Sequence, residues 1–273
     1  MSIISTESSL VPVRPELQIS GSAVLQWLLR AAPEQLKDRS SSECSIQAFS
    51  HGQSNPTFLV TSPSLHRPLV LRKKPPGSIL KSAHAVEREY RVLAALAKSN
   101  SGVPVPTPVA LCEDAAVIGT PFYLMEFAKG QIFVDPNMDG TPGQLRRSAY
   151  QQMAHTLARL HAADVAQLGL HDFGNSMHYC RRQLHKWTAQ YQASVTTPLP
   201  EVQQLLAWLQ DHVPEEDAQP SRPCICHGDY RLDNLVFSRA GGAGAGPLQL
   251  QAVLDWELST LGSRWSDVAY SCL

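Results

Sequence analysis

The sequence lacks a strong excess of charge, a long apolar run and a regular set of cysteines. Its formal net charge is −1 over 273 residues, so bulk attraction to nucleic acid or to an anionic membrane is not expected. Its most apolar stretches, such as AVLQWLLRAA, are far shorter than the ~20 residues of a membrane-spanning helix. The first twenty residues have no basic segment ahead of an apolar core, so they do not resemble a secretory signal. These absences disfavour a nucleic-acid-binding protein and a membrane-spanning one.

The six cysteines are irregularly spaced, which argues against a structural zinc site. Cys224 and Cys226 are separated by one residue, too few for the usual C-x-x-C arrangement, and no second Cys or His pair answers them. We therefore expect reduced, buried thiols in an intracellular protein.

The composition, 43% hydrophobic and 17% charged, is typical of a globular chain. We predict a mobile tail over residues 1–20 and a β-rich region with helices over residues 21–129. Residues 130–273 are predicted to be mostly helical, because apolar residues recur there at helical spacing. The fold class predicted is therefore α+β, with a small β-rich lobe followed by a larger helical lobe.

A predicted hairpin near the C-terminal end gathers polar residues. NLVF and LQLQAVLD are two apolar, β-prone runs joined by a glycine-rich linker. Antiparallel pairing brings Asn234, before the first strand, to the same end as Asp255, after the second. An amide oxygen and a carboxylate together suit Mg²⁺, and Asp229 lies close enough to face a substrate hydroxyl as a base. The alternative is a simple turn, since Asp, Gly and Asn are common turn residues.

The spacing H-x-D-x-x-x-x-N at residues 227–234 is that of a kinase catalytic loop, and LDWE stands where kinases have Asp-Phe-Gly. With HGDYRLDNLVF and AVLDWELSTLG, the chain resembles the aminoglycoside phosphotransferase and choline kinase-like family from about residue 45 onward. The resemblance implies a protein-kinase-like two-lobed fold that uses ATP and Mg²⁺ to phosphorylate a small-molecule hydroxyl. It implies catalytic roles for Asp229, Asn234 and Asp255, of which Asn234 and Asp255 are the metal ligands.

The same resemblance implies the nucleotide contacts. The segment AFSHGQSNPTFLV is similar to the family's nucleotide-covering hairpin, and FYLMEFAKG to the hinge between the lobes. Backbone N–H groups would meet the phosphates at Gly52, Gln53, Ser54 and Asn55. Backbone groups would meet adenine at Glu126, Phe127 and Ala128. An ordinary turn and a plain edge strand are the alternatives for these two segments.

A cationic side chain on the strand PLVLRKK is expected to contact phosphate. Alternation along a strand puts Arg72 and Lys73 on opposite faces. The alignment nominates Arg72 in place of the family's usual Lys, with Lys73 as the alternative, and a solvated strand end remains a third possibility. Glu89 on the next helix would pair with this cation, and Glu87 is its rival.

Three further polar residues are weighed near this site. Asp267 is expected to be structural, and His161 to pack or brace a loop rather than act in catalysis. Glu257 is expected to be able to reach the proposed metal.

A narrower resemblance is to the kinase domain of acyl-CoA dehydrogenase family members 10 and 11. It implies a 4-hydroxyacyl-CoA acceptor in fatty acid breakdown, an attached acyl-CoA dehydrogenase domain in the full-length proteins, and a mitochondrial or peroxisomal location. Because family members continue with further helices, the helical lobe is expected to be incomplete at its C-terminus, in a fragment or a shortened isoform. The alternatives are a nucleotide-binding module without turnover and a domain that binds a partner chain.

Overall fold

Two regions of different architecture make up the protein, as seen in a computed structural model. It describes residues 3–7, 10–14, 17, 19–39, 43–50, 55–76, 85–220, 222–239 and 247–272. The strands are β1 Ile3–Ser5, β2 Leu10–Val11, β3 Ser45–Phe49, β4 Thr57–Thr61, β5 Leu69–Lys73, β6 Pro108–Cys112, β7 Phe122–Glu126, β8 Gln131–Phe133, β9 Cys224–Cys226, β10 Leu235–Arg239, β11 Leu248–Val253 and β12 Thr260–Gly262. The α-helices are α1 Gly21–Ala31, α2 Val86–Lys98, α3 Gly143–Ala162, α4 Tyr179–Ser194, α5 Pro200–Asp211 and α6 Arg264–Ser271.

The N-terminal lobe is a six-stranded antiparallel sheet in the order β2-β3-β4-β5-β7-β6. Its central strand β5 is buried along its whole length because a helix covers each face of the sheet. Leu69 and Leu71 pack in the same cluster as α1, whereas Val70 packs in the cluster that contains α2. This alternation sends Arg72 to the face of Val70, toward the second lobe.

The C-terminal lobe is mainly helical and carries a four-stranded sheet in the order β1-β8-β10-β11 and the two-stranded pair β12-β9. The buried side of α3 presents Met153, Leu157 and Leu160, as the periodic pattern predicts. One apolar cluster continues from α2 and β7 to α3 and β11, so the two lobes share a core. None of the described helices is long and apolar enough to cross a bilayer.

The hairpin predicted around the glycine-rich linker is confirmed. Strands β10 and β11 pair antiparallel from Leu235 opposite Val253 to Arg239 opposite Leu248, with an irregularity between Val236 and Phe237. The linker itself, residues 240–246, lies outside the described residues. The pairing places the residue before β10 beside the residues that follow β11.

The prediction of a mobile tail before residue 21 is corrected by two strand pairings. Strand β1 pairs antiparallel with β8 of the second lobe, and β2 pairs with β3 of the first. Both strands are too short to produce a periodic pattern, and their partners are distant in the chain. The first residues therefore contribute to the sheets of both lobes.

The cysteines are all unpaired, in agreement with the expectation of reduced thiols. Cys112, Cys224 and Cys226 are buried, whereas Cys272 is exposed. Burial raises the pKa of the Cys44 thiol to about 11, so this thiol stays protonated near neutral pH.

Candidate active site

The loop that follows β9 is held from behind by one buried carboxylate. Asp267, on α6, accepts hydrogen bonds from the backbone N–H groups of His227 and Gly228, each at 2.9 Å. Its Oδ2 also lies 2.9 Å from Nε2 of His161 on α3. Asp267 is 1% exposed, so these partners replace the water that a carboxylate needs. Both residues brace the loop, in line with the structural role predicted for Asp267 and the packing or bracing role predicted for His161.

Gly228 gives this loop a conformation that other residues rarely adopt. Its φ is +85°, in the left-handed region. A Cβ placed there would lie 2.7 Å from the carbonyl oxygen of Leu258. The H-G-D sequence thus lets the loop pass close to the segment after β11.

His227 connects the loop to that segment as a neutral imidazole. Its Nδ1 accepts a hydrogen bond from the N–H of Asp229 at 3.2 Å, so Nε2 carries the proton and donates to the carbonyl of Leu254 at 2.9 Å. Burial lowers the pKa of His227, in keeping with the neutral form. The ring therefore fixes the backbone beside both Asp229 and Asp255.

Asp229 and Asn234 lie in direct contact. The Asn234 side-chain amide donates to the Asp229 carbonyl oxygen and to its carboxylate Oδ2, both at 2.9 Å. The N–H of Leu254 donates to the Asn234 carbonyl at 2.9 Å, which places Asp255 beside this pair. Asp255 itself has a φ of +63°, which its short polar side chain tolerates better than most. The hairpin thus gathers the three residues that the sequence nominated.

Arg72 crosses from β5 to the same place. Its Nε lies 3.1 Å from Oε2 of Glu89, and its Nη2 lies 2.6 Å from Oδ1 of Asp255 and 3.3 Å from Oε2 of Glu257. Lys73 and Glu87, the alternatives to Arg72 and Glu89, make other contacts. Lys73 donates to the Ile118 carbonyl at 3.2 Å, and Glu87 pairs with Lys74 at 2.5 Å. Arg72 and Glu89 are therefore the ion pair that faces the second lobe.

Three carboxylates share this one guanidinium, and the pKa of the most buried of them, Glu89, reflects the imbalance. Burial, with the neighbouring charges of Asp255 and Glu257, raises the pKa of Glu89 to about 7, although Arg72 opposes the shift. Burial alone would lower the pKa of Arg72, but the charges of Glu89 and Asp255 raise it. The cation is stabilised by all three anions while the anions repel one another. A further positive charge would relieve this repulsion.

A cleft between the lobes adjoins these charges. Its walls are mostly apolar and include Phe49, Val70, Met125, Phe127 and Val253. The expected hinge residues Glu126, Phe127 and Ala128 also line it, as do Arg72, Glu89, Asn234 and Asp255. The N–H of Glu126 donates to the Thr107 carbonyl, so that amide is already used within the fold. An apolar slot with charges at one end suits a nucleotide base with its phosphates.

The nucleotide-covering turn is only partly described. Gly52, Gln53 and Ser54 lie outside the described residues. Asn55 is 2% exposed, and its side-chain amide lies 3.3 Å from Oε2 of Glu257. Its Oδ1 is buried and has no hydrogen-bond partner within the described chain. Asn55 thus contacts the site through its side chain, whereas the sequence predicted a role for its backbone N–H.

The donor set fits a hard divalent cation bound with a ligand. Asn234 and Asp255 offer an amide oxygen and a carboxylate, and Glu257 adds a second carboxylate within reach of Arg72. Among the described residues, no three His, Cys, Asp or Glu side chains form a ready metal cluster. Phosphate oxygens would have to complete the coordination, as is usual for Mg²⁺.

Sequence reasoning missed one buried phenol beside the charged cluster. Burial raises the pKa of Tyr123, and the neighbouring charge of Glu89 raises it further. Its ring packs edge-on against Tyr90 of α2. In the sequence, Tyr123 is indistinguishable from the apolar residues of its strand. Its place beside the charged cluster follows from the sheet register, which puts it opposite Arg72.

Comparison with known families supports this description. The family described as "Phosphotransferase enzyme family" matches residues 45–273. Acyl-CoA dehydrogenase family member 10 of Mus musculus is 44% identical over 262 residues. That alignment covers 96% of this chain and 23% of the mouse protein, so the chain spans about a quarter of this relative.

Solved structures share the two-lobed kinase-like fold, which confirms the predicted fold class. A Ralstonia eutropha crystal structure assigned as an aminoglycoside phosphotransferase is 38% identical with a TM-score of 0.76, covering 93% of this chain and 70% of that one. The streptomycin–ATP complex of APH(2″)-IIa has a TM-score of 0.58 at 15% identity, covering 94% and 74%. At that low identity, the second likeness concerns the fold alone.

Proposed function

Because this chain belongs to the phosphotransferase enzyme family, we propose that it is an ATP-dependent kinase that phosphorylates a hydroxyl group of a small molecule. The observation that carries the proposal is the contact between Asn234 and Asp229, made beside Asp255 at the open end of the hairpin. A base, an amide and a second carboxylate are thereby held together next to a cleft. The ATP in one structural relative supports the choice of nucleotide.

Asp229 is the proposed base. Its carboxylate receives the Asn234 amide on Oδ2, which fixes its rotamer and leaves Oδ1 to accept the proton of the acceptor hydroxyl. The neutral His227 ring accepts a hydrogen bond from the Asp229 N–H and so fixes the position of the loop backbone. Asp229 therefore aligns the hydroxyl for in-line attack on the terminal phosphorus, which is the main task of a protein in phosphoryl transfer.

Arg72, and a cation held by the two proposed metal ligands, would neutralise charge on the phosphates. The forked guanidinium, anchored by Glu89, suits phosphate oxygens. Asn234 and Asp255 would hold Mg²⁺, which when bound neutralises charge on the phosphate oxygens. The apolar cleft and the backbone of Glu126–Ala128 would take adenine.

We propose a 4-hydroxyacyl-CoA as the acceptor. The proposal rests on the narrow resemblance of the sequence and on the acyl-CoA dehydrogenase name of its mouse relative. An attached dehydrogenase domain in the whole protein, and a mitochondrial or peroxisomal location, rest on the same resemblance.

A mass-spectrometric assay tests both parts of this proposal. The protein is incubated with ATP, Mg²⁺ and, separately, a 4-hydroxyacyl-CoA, a 3-hydroxyacyl-CoA, choline or kanamycin. We expect phosphorylated product with the 4-hydroxyacyl-CoA, and a turnover reduced about 10²- to 10⁴-fold in Asp229→Asn. The matched control is Asp114→Asn, the same chemical change at an exposed carboxylate in the other lobe. Full activity of Asp229→Asn would remove this residue from its proposed role.

A second candidate function is nucleotide binding without turnover. It is favoured by Arg in place of the usual Lys and by its 2.6 Å contact with Asp255, which occupies a proposed metal ligand. ATP with Mg²⁺ would then raise the unfolding temperature while no acceptor yields product. Product from any acceptor would reject this candidate.

A further inference from the structure

Arg72 joins the two lobes through a contact that a bound cation would have to break. It lies on β5 of the N-terminal lobe, whereas Asp255 and Glu257 follow β11 in the C-terminal lobe. Its Nη2 is 2.6 Å from Asp255 Oδ1, the shortest of its three ion-pair distances. The Arg72 side chain is only 10% exposed, so water screens these charges weakly.

The geometry depends on a guanidinium. Nε reaches Glu89 while Nη2 reaches Asp255 and Glu257, so one side chain binds carboxylates on both lobes at once. A lysine has a single compact ammonium group in place of this fork. At this position a lysine would pair with the deeply buried Glu89 and leave Asp255 free.

We propose that Arg72 acts as a built-in counter-cation, holding Asp255 in the nucleotide-free protein and yielding it when a divalent cation binds. The inference rests on the proposed function, because it takes Asp255 to be a cation ligand. In this exchange Nε keeps its contact with Glu89, while Nη2 turns from Asp255 to the phosphate oxygens. Arg72 is therefore a positioning residue before binding and a phosphate contact after it.

Asn55 and Glu257 extend the same bridge. The Asn55 amide lies 3.3 Å from the Glu257 oxygen that also faces Arg72. The end of the nucleotide-covering turn is thereby tied to the segment that carries Asp255. When Nη2 turns away from Asp255 it also leaves Glu257, so cation binding would be felt at Asn55 through the Glu257 oxygen that both side chains face.

The test measures Mn²⁺ binding by calorimetry, both to nucleotide-free protein and in the presence of a non-hydrolysable ATP analogue. Arg72→Lys keeps the positive charge and removes only the fork, so bulk electrostatics stay the same. We expect it to bind Mn²⁺ about 3- to 10-fold more tightly than the wild type in the nucleotide-free state. The matched control is Arg91→Lys, which alters the exposed inter-lobe pair between Arg91 and Asp172. It should bind Mn²⁺ as the wild type does.

Each result decides the matter. If Arg72→Lys binds Mn²⁺ within twofold of the wild type, or no more tightly than Arg91→Lys, the counter-cation role is wrong while the proposed kinase function stands. If no variant binds Mn²⁺ even with the ATP analogue, the proposed metal site fails as well. Should Arg72→Lys not fold, Arg72→Met takes its place, with the same tighter binding expected. Failure of both variants to fold would make Arg72 purely structural and overturn the inference.

Discussion

Asp267 and Asp255 lie on either side of the same loop, but their surroundings differ. The difference distinguishes a carboxylate that supports the fold from one that is available to a ligand. Asp267 is 1% exposed, and its two oxygens receive two backbone N–H groups and face His161. The Asp255 side chain is 25% exposed and shares a single guanidinium with two other carboxylates. A carboxylate with all its partners supplied by the protein has little capacity left for a ligand. A carboxylate that shares its partner with other carboxylates can exchange that partner for a ligand.

The same difference holds for the wider regions. Behind the loop, His227 and Asp267 are satisfied by groups of the fold itself. In front of it, Asn55 Oδ1 is buried and unpartnered within the described chain, and Glu89 has a raised pKa. Buried polar groups left short of partners are common where a ligand completes the site. Four substitutions test this comparison through the free energy of unfolding.

The largest effect is expected at Asp267. Replacing it by Ala leaves two buried N–H groups and His161 without their acceptor, so we expect a loss of about 3–5 kcal/mol. Denaturant unfolding measures it. The control is Asp172→Ala, because Asp172 is exposed and pairs with Arg91 at the surface; its transition midpoint should stay close to that of the wild type. Equal midpoints for the two variants would show that Asp267 does not stabilise the fold more than an exposed carboxylate does.

Glu89 should give stability a distinctive dependence on pH. Its pKa rises from 4.5 to about 7 on folding, so the folded state favours the protonated carboxyl. This contribution is complete below pH 4.5 and is lost as the pH rises through about 7. We therefore expect the wild type to lose roughly 3 kcal/mol of stability relative to Glu89→Gln across that window. Denaturant unfolding in EDTA at several pH values checks this, and a constant difference would show that folding does not shift the pKa of Glu89.

Gly228 should show the cost of bringing the loop close to the segment after β11. Gly228→Ala adds a strained left-handed residue and a contact 2.7 Å from the Leu258 oxygen. Gly140→Ala is the matched control, since Gly140 has a φ of +78° but open space around it. We expect Gly228→Ala to be less stable than Gly140→Ala by about 2 kcal/mol, measured by urea unfolding. A difference near zero would mean that the loop relaxes away from Leu258.

Asp255 should show the smallest change in stability. Asp255→Asn loses a contact with Arg72 but also relieves repulsion with Glu89 and Glu257, so we expect unfolding within about 1 kcal/mol of the wild type. Turnover in the kinase assay should nonetheless fall by at least ~10²-fold. A destabilisation as large as that of Asp267→Ala would show that Asp255, like Asp267, mainly supports the fold.

Local patterns in the sequence predicted much of this arrangement. The glycine-rich linker between two apolar runs indicated the β10–β11 hairpin, and the hairpin predicted that Asn234 and Asp255 would meet. Helical spacing indicated α2 and α3. These features depend on neighbours in the chain, which periodicity and turn chemistry report.

The features that escaped prediction depend on distant pairings. Strand β1 pairs with β8, whose residues are more than a hundred positions away, and three residues give no periodic signal. The choice between Arg72 and Lys73 stayed open because alternation shows that they face opposite sides but not which side meets the second lobe. Tyr123 and the side chain of Asn55 joined the site only through tertiary contacts.

The two short strands at the beginning of the chain also bear on how the protein is handled in the laboratory. Because β1 belongs to the sheet of one lobe and β2 to that of the other, the described residues near the beginning of the chain contact both lobes. Ile4 and Thr6 form part of the cleft wall. Removal of β1 would therefore take away part of the wall of this cleft, and ligand affinities are best compared on chains with identical first residues.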